Sequence, residues 1–530
     1  MEKALEMGKV SAAGSFQLFI GKTASTIILA VEAIILARLM MPAEYGLYSI
    51  ALIPPTMIGL FQDWGVGSAM TKYIAHFRAA NRDENLHDII VAGVTFELAT
   101  GLTLSFISLV LASFIASTMF HRPESTALIS IASVTIFSTS LLTTSQSSFI
   151  GFERMELNSY TMICQSVVKS VAAPLLVFLG YGAFGAVLGY TLSTVISGIL
   201  ALALLYFLLF KNLRKTKITK TRVSETLKKM LHYGVPLSIS SILGGFRLQF
   251  YGFLMAFFCT NAMIGNYQIA VNFAVLLTFF TYPISTVLFP AFSKLDSKND
   301  PQLLKTVFTS SVKYTTLLLV PATVAVMVLS KPMIYTLFGD KWIYAPFFLS
   351  LYVISNLFAG VGNLSMGSLL AGLGETKLLM KLSLLTLSIG VPLAFILIPN
   401  LGITGVILGM LFAGLPSMFI GLRWIWKRYQ AKADLKSSAK IFTASAVAAL
   451  MTYLSIYFLN TAEWIKLTIG TSVFIGVYLL TAPTIGAINQ SDITNLRNMF
   501  SGLGIISKLL NIPLTIAEKI PKIPFYKEGE

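Results

Sequence analysis

Four cations and two carboxylates fall inside long apolar stretches of this chain. They are Lys22, Glu32, Glu97, Lys169, Arg247 and Lys313. A charge at the centre of a bilayer costs about 2.5–3.5 kcal/mol on insertion scales, so such groups should pair or face a wet cavity. Arg offers a planar fork suited to phosphate, and Lys offers a compact positive charge. The excess of cations therefore predicts an anionic, phosphate-bearing ligand.

Gly21-Lys22-Thr23 resembles the end of a nucleotide-binding P-loop, but the rest of that motif is missing. The loop needs a glycine where this chain has Phe16, and it should follow a strand, which nothing upstream resembles. Nucleotide binding is disfavoured. Two interpretations of Lys22 remain: it snorkels toward the inner headgroups, or it lines a polar cavity.

The composition indicates a membrane protein that crosses the bilayer many times. Of the 530 residues 55% are hydrophobic and 12% are charged, whereas soluble proteins carry about 25% charged residues. Apolar runs of about 18 or more residues recur along the whole length. The only cysteines, Cys164 and Cys259, both lie in apolar runs. We therefore expect no disulfide framework, metal site or cofactor.

The predicted fold class is all-α, with about fourteen transmembrane helices. The predicted spans are 15–39, 44–66, 87–116, 126–150, 157–179, 183–210, 232–259, 263–290, 303–330, 343–370, 378–399, 402–425, 440–459 and 464–488.

The distribution of basic residues predicts that both termini are cytoplasmic. With the N-terminus inside, thirty of the 39 Lys and Arg residues fall on the cytoplasmic side and five, including Arg38 and Arg122, fall outside. The net charge of +16 then reflects basic loops against an anionic inner leaflet. Nucleic acid is not needed to explain it.

An internal repeat divides the spans into two groups of six. "EYGLYSIA" (44–51) resembles "MIGNYQIA" (263–270), and "GAFGAVLG" (182–189) resembles "GITGVILG" (402–409), at offsets of 219 and 220 residues. Each half begins and ends inside, which is typical of a parallel repeat around a central site.

The repeat and the basic loop "KNLRKTKITKTR" set the expected domain boundaries. We predict a six-helix lobe (1–212), a basic cytoplasmic linker (213–230), a second six-helix lobe (231–430), two added helices (431–490) and a cytoplasmic amphipathic tail (491–530).

The cations are the candidate substrate-binding residues. Lys22 and Arg247 occupy the first helix of each repeat, so we predict that they line a central cleft and hold phosphate. Lys169 and Lys313 have two interpretations: they line the same cavity, or they pair with Glu97 as structural salt bridges.

The acids are the candidate coupling or gating residues, together with one arginine. Glu32 and Glu97 are candidates for binding a coupling ion or proton. Asp63 and Arg38 lie near span ends and are candidates for coupling or gating. The alternative for Asp63, in "FQDWGVGSA", is a cytoplasmic helix-end residue.

Beyond these residues, the chain resembles the polysaccharide (Wzx-like) flippases of the multidrug/oligosaccharidyl-lipid/polysaccharide exporter (MOP) superfamily. The resemblance rests on "ILARLMMPAEYGLYSIA", "DWGVGSAMTKYIA", "SFIGFERM", "LLAGLGETKLLMK" and the glycine motifs already quoted. It implies two six-helix lobes around an alternating-access cavity in the cell membrane. It also implies a lipid-linked oligosaccharide as cargo, carried on an isoprenoid diphosphate, with Lys22 and Arg247 matching the cationic cavity by type and helix. An H⁺ or Na⁺ gradient is a candidate for coupling.

Three other classes compete with a flippase. A multidrug antiporter for cations would want a carboxylate-rich cleft, which four buried cations argue against. A membrane enzyme usually carries acids in a sizeable external loop, whereas loops 117–125 and 331–342 offer only Glu124 and Asp340. A purely structural role is the third. We predict a transporter and not an enzyme.

Overall fold

The computed structural model describes residues 2–211, 213, 220–277, 292, 300–500, 515 and 518. Every regular element in this part of the chain is helical, which confirms the predicted fold class. The chain divides into two compact units. The first comprises Met1–Gln268 with Ile398–Ile403, and the second comprises Ile269–Leu397 with Thr404–Glu530.

Eight long helices build the described part of the first unit. They are α1 (Glu2–Leu39), α2 (Pro42–Gly59), α3 (Val66–Ala79), α4 (Asp83–Phe114), α5 (Thr126–Gly151), α6 (Met155–Leu176), α7 (Gly182–Leu204) and α8 (Lys220–Phe258). Turns of π-helix extend α4 to Met119, α6 to Tyr181 and α7 to Phe210. α9 (Asn261–Ala274) begins in this unit and ends in the second.

The described helices of the second unit follow α9. They are α10 (Pro301–Val328), α11 (Ser330–Phe338), α12 (Ala345–Tyr352), α13 (Asn363–Gly372), α14 (Thr376–Leu401), α15 (Ile403–Tyr429), α16 (Leu435–Tyr457), α17 (Glu463–Thr484) and α18 (Gln490–Phe500). Asp434 caps α16 by accepting hydrogen bonds from the backbone N–H groups of Lys436 and Ser437.

Ten described segments are long and apolar enough to cross a membrane, or eleven if a bent pair counts as one span. One of them, Met155–Phe210, covers two predicted spans. The predicted span 44–66 is helical over Pro42–Gly59 but does not qualify by length and composition. The predicted span 263–290 extends past residue 277, outside the described residues. The protein is a multi-pass membrane protein.

A buried apolar cluster joins α8 to the helices that precede it. Met70, Ile74, Phe149 and Met230 are fully buried within it. The adjacent turn brings backbones into direct contact, because a Cβ on Gly65, whose φ is +80°, would lie only 2.1 Å from the Gly234 carbonyl oxygen. α8 therefore packs within the first unit, whose main segment ends at Gln268. The lobe and linker boundaries drawn from the sequence stay a prediction.

The predicted span 343–370 is bent in the second unit. A 3-10 segment, Val353–Val361, extends α12 and meets α13 at an angle of 60°. The bend lies at Gly362, whose φ of +97° suits glycine. Hydroxyls from two neighbouring helices reach carbonyls at the break. Ser438 Oγ donates to Gly360 O (2.7 Å), and Thr316 Oγ1, which donates mainly to Val312 O of its own helix (2.6 Å), lies 3.3 Å from Ala359 O. Such donors are what a broken helix requires in a membrane.

Candidate functional site

α1 and α6 pack closely enough to bring their charged residues together. Gly21 faces Ser159, where a Cβ would lie 2.5 Å from the Ser159 side chain. Two hydroxyls of α6 bond to the backbone of α1: Ser159 Oγ donates to Gln17 O (2.9 Å) and Ser170 Oγ donates to Ile28 O (3.3 Å). Small residues and hydroxyls of this kind are the usual means of close helix association in lipid.

This packing places a buried ion pair between Glu32 and Lys169. The Lys169 Nζ lies 3.3 Å from Glu32 Oε2, and Glu32 is only 2% exposed. The same ammonium lies 5.5 Å from the centre of the Tyr190 ring on α7. Glu32 Oε1 is buried without a hydrogen-bond partner among the described residues. The site therefore holds a neutralised carboxylate with one acceptor oxygen left over.

A second buried acid, Glu97, lies beside Asp63. Gln62 Nε2 donates to Glu97 Oε2 (3.2 Å), and the Asp63 carboxyl lies close enough to Glu97 to interact with it electrostatically. Asp63 Oδ1 also accepts from the backbone N–H of Gly67 (2.6 Å) in the first turn of α3. Two like charges in this position repel each other, which makes the pair a candidate site for a positively charged ion. Asp63 therefore combines the two roles predicted for it: it lies at a helix end, and it neighbours Glu97, a candidate coupling residue.

Lys313 also forms an ion pair, in the second unit. Its Nζ lies 2.7 Å from Asp492 Oδ2 on α18, and the Asp492 side chain is 4% exposed. The next residue, Tyr314, accepts a hydrogen bond at its hydroxyl from Asn495 Nδ2 (2.8 Å). Lys169 and Lys313 thus have the structural partners that one interpretation expected, but these are Glu32 and Asp492 rather than Glu97.

The remaining candidates are more accessible. Lys22 and Arg38 have exposed side chains on α1, and Arg38 lies in its last turn. Arg247 is half-buried on α8, one turn before the buried Tyr251, with which it interacts electrostatically. Within the described residues Arg247 makes no ion pair with a carboxylate. A half-buried cation without a protein anion is suited to bind a ligand anion.

One residue with extensive contacts was not predicted from the sequence. Arg122, in the loop between α4 and α5, was counted only as an external cation, yet its guanidinium bonds the end of α8. A basic residue in a short loop gives no local sign of such a contact. In the described ranges no cluster of His, Cys, Asp and Glu could hold a metal ion.

Comparison with known protein families assigns this chain to one of them. Residues 35–345 match the model of a family described as "Polysaccharide biosynthesis protein". The chain belongs to this family.

Two relatives support this assignment along different lengths of the chain. The "Probable low-salt glycan biosynthesis flippase Agl15" of Haloferax volcanii is 25% identical over 217 residues. That match covers 39% of this chain and 46% of the relative, less than half of each. The "Lipopolysaccharide biosynthesis protein WzxC" of Escherichia coli is 24% identical over 387 residues, covering 72% of this chain and 74% of the relative.

Two solved structures share the fold at low identity. A lipid II flippase, MurJ, in an inward closed conformation superposes with a TM-score of 0.71 at 18% identity, covering 88% of this chain and 97% of that one. An inward-facing multidrug resistance MATE transporter of the MOP superfamily gives a TM-score of 0.63 at 18% identity, covering 77% of this chain and 94% of that one. These matches show a shared helical fold and confirm the predicted fold class.

Proposed function

We propose that this family member is a flippase that moves a lipid-linked oligosaccharide or polysaccharide precursor from the cytoplasmic to the outer leaflet. The cargo is an isoprenoid diphosphate carrying sugars, and the mechanism is alternating access around a central cavity. The family, the names of the two relatives and the flippase fold support this proposal.

The observation that carries the chemistry is that Arg247 forms no ion pair with a carboxylate among the described residues. Of the cations in apolar spans, Lys169 and Lys313 are neutralised by Glu32 and Asp492, whereas Arg247 has no carboxylate partner among the described residues. Its fork matches two oxygens of a diphosphate. Lys22, with its exposed side chain, is the second proposed phosphate ligand.

Such a site lowers the barrier to moving a polar head across hydrocarbon. The isoprenoid tail stays in the bilayer while diphosphate and sugars enter a hydrated cavity. Cations and water there replace the hydration that the head loses. Because the cargo must also leave, a few charged contacts serve the cycle better than a tight, fully enclosed site.

A gradient of H⁺ or Na⁺ is proposed to bias the two states. The Asp63–Glu97 pair is the first candidate, because two neighbouring carboxyls are suited to hold a proton or a cation between them. Glu32, with one oxygen lacking a partner among the described residues, is the second candidate for a coupling ion. Arg38, in the last turn of α1, is retained as a candidate gating residue.

The proposed location is the cell membrane, with both termini in the cytoplasm. The excess of Lys and Arg in the predicted inner loops supports this orientation. Membrane lipids are the proposed neighbours, and no catalytic activity is assigned to the chain.

A multidrug or cation antiporter is the second candidate, favoured by the fold shared with a MATE transporter. It would use carboxylates to hold a cationic drug. In this chain, however, Glu32 is engaged by Lys169, and Glu97 lies beside a second acid. Glu32 therefore offers no free negative charge to a cationic substrate.

Proteoliposomes test the two candidates directly. A fluorescent isoprenoid diphosphate oligosaccharide is incorporated, and an impermeant reductant reports the fraction in the outer leaflet. A flippase exchanges the fluorophore between leaflets, whereas protein-free vesicles do not. Efflux of a cationic dye is measured in parallel. Dye efflux without exchange of the oligosaccharide would replace the flippase with the antiporter.

A further inference from the structure

Arg122 bonds to a helix that the repeat assigns to the other half of the chain. Its Nε donates to Asn261 Oδ1 (2.6 Å) and a terminal nitrogen donates to Cys259 O (2.5 Å). The other terminal nitrogen donates to Ala256 O and to Phe120 O. The carbonyls of Ala256 and Cys259 belong to the C-terminal end of α8 and the turn after it, where carbonyls lack helical partners and carry partial negative charge.

The surrounding contacts close the same end of α8 against the first helices. Phe120 packs on Phe253 with ring centres 5.1 Å apart. A Cβ on Gly46 of α2 would lie 1.8 Å from Asn261 O, and one on Gly265 would lie 2.1 Å from Pro42 O. Backbone therefore meets backbone here, and little space is left for water.

The bonds of Arg122 are suited to being broken and remade. All four acceptors are neutral amide oxygens, so release leaves no buried anion behind. The side chain is half-buried in a loop, where water can solvate the guanidinium as soon as the contact opens. A buried ion pair in this place would cost far more to separate.

We propose that Arg122 is a latch that holds this end of α8 closed and must release it once in each transport cycle. The inference rests on the alternating access of the proposed function. The predicted orientation places Arg122 on the external side, so its release belongs to the outward-open state.

The chain carries its own reporter of the latch. The backbone carbonyl of Cys259 accepts a hydrogen bond from Arg122, and Cys259 itself is only 8% exposed. The other cysteine, Cys164, is removed by Cys164→Ala. The rate at which a maleimide alkylates Cys259 in nanodiscs then measures how often this end opens.

Arg122→Ala is expected to raise the alkylation rate about tenfold, because it shifts the population toward the open state. Arg122→Lys, which keeps one charge but loses the fork, should give an intermediate rate. Arg78→Ala is the matched control, because Arg78 also bonds a backbone carbonyl, that of Phe152, but joins helices of the first half only. Its alkylation rate should stay at the parental value.

Two results would overturn the latch. One is an Arg122→Ala variant that is monodisperse, melts within the range of the parent and alkylates at the parental rate. The other is an equal rise in Arg122→Ala and Arg78→Ala, which would indicate general loosening. The labelling needs no substrate, so its outcome is independent of whether lipid-linked oligosaccharide is transported.

Discussion

The ammonium of Lys169 lies 3.3 Å from the carboxylate of Glu32, inside apolar helices of one unit. Each residue alone would be a costly charge in this environment, and together they form a neutral pair. A lone charge left in such a site is strongly destabilising, whereas an apolar replacement of both partners often is not.

Lys169→Met should therefore lower the stability by about 3 kcal/mol, because Glu32 loses its counter-charge. The double variant Lys169→Met/Glu32→Gln should recover most of that loss. Thermal unfolding in detergent measures both. If Lys169→Met unfolds at the parental temperature, the pair contributes nothing to stability. If the double variant is stable but has lost its dependence on an ion gradient, Glu32 takes part in coupling.

Arg247→Ala should insert and fold, yet lose translocation of the lipid-linked oligosaccharide by about tenfold or more, because a bidentate phosphate contact is removed. Arg247→Lys should retain part of the rate, since lysine supplies charge without the fork. Arg154→Ala is a suitable control, as Arg154 lies in a loop and pairs with Glu156. Full transport by Arg247→Ala would remove this residue from the phosphate site.

Lys313→Met should leave oligosaccharide translocation largely intact and loosen α18, because the partner of Lys313 is Asp492. The measurement is amide hydrogen exchange in the variant and the parent. The variant should exchange faster than the parent over residues 490–500, and the two should exchange alike in α16. Asp492→Asn should have the same effect. A transport defect in Lys313→Met with unchanged exchange would instead favour a substrate-binding role for this lysine.

Gly46→Ala should destabilise the protein by about 1–3 kcal/mol, because the new methyl group would overlap the Asn261 carbonyl. Gly476→Ala is the matched control in α17, where a Cβ meets no atom within 4 Å. Melting temperatures of the two variants are compared. Equal melting temperatures would mean that α2 and the turn after α8 are not held in contact.

The sequence predicted the helices well because a membrane imposes a strong local pattern. Runs of apolar residues specify spans. The break at Gly362 was not predicted, because it depends on one glycine and on hydroxyls from two helices distant in sequence. The carboxylate partners of Lys169 and Lys313 were not predicted for a similar reason. Charge type and depth identified both lysines, but only the packing of α1 on α6 and the docking of α18 select Glu32 and Asp492.

The Asp63–Glu97 contact shows the same limit. The sequence identified each acid and placed Asp63 at a helix end, which its bond to the Gly67 N–H agrees with. It gave no sign that the two carboxyls are neighbours, because residues 34 positions apart come together only when the turn before α3 folds against α4. The sequence shows the type of each side chain directly, whereas the distance between two side chains depends on the fold.

The corner at Gly362 has a mechanical consequence. A pivot in a helix needs carbonyls that can exchange one donor for another as the angle changes. Here Ser438 holds the Gly360 oxygen and the Thr316 hydroxyl lies 3.3 Å from the Ala359 oxygen, so two neighbouring helices support the bend. During a transport cycle the two helical segments that meet at Gly362 should move together as one rigid body, and bending should take place at other positions.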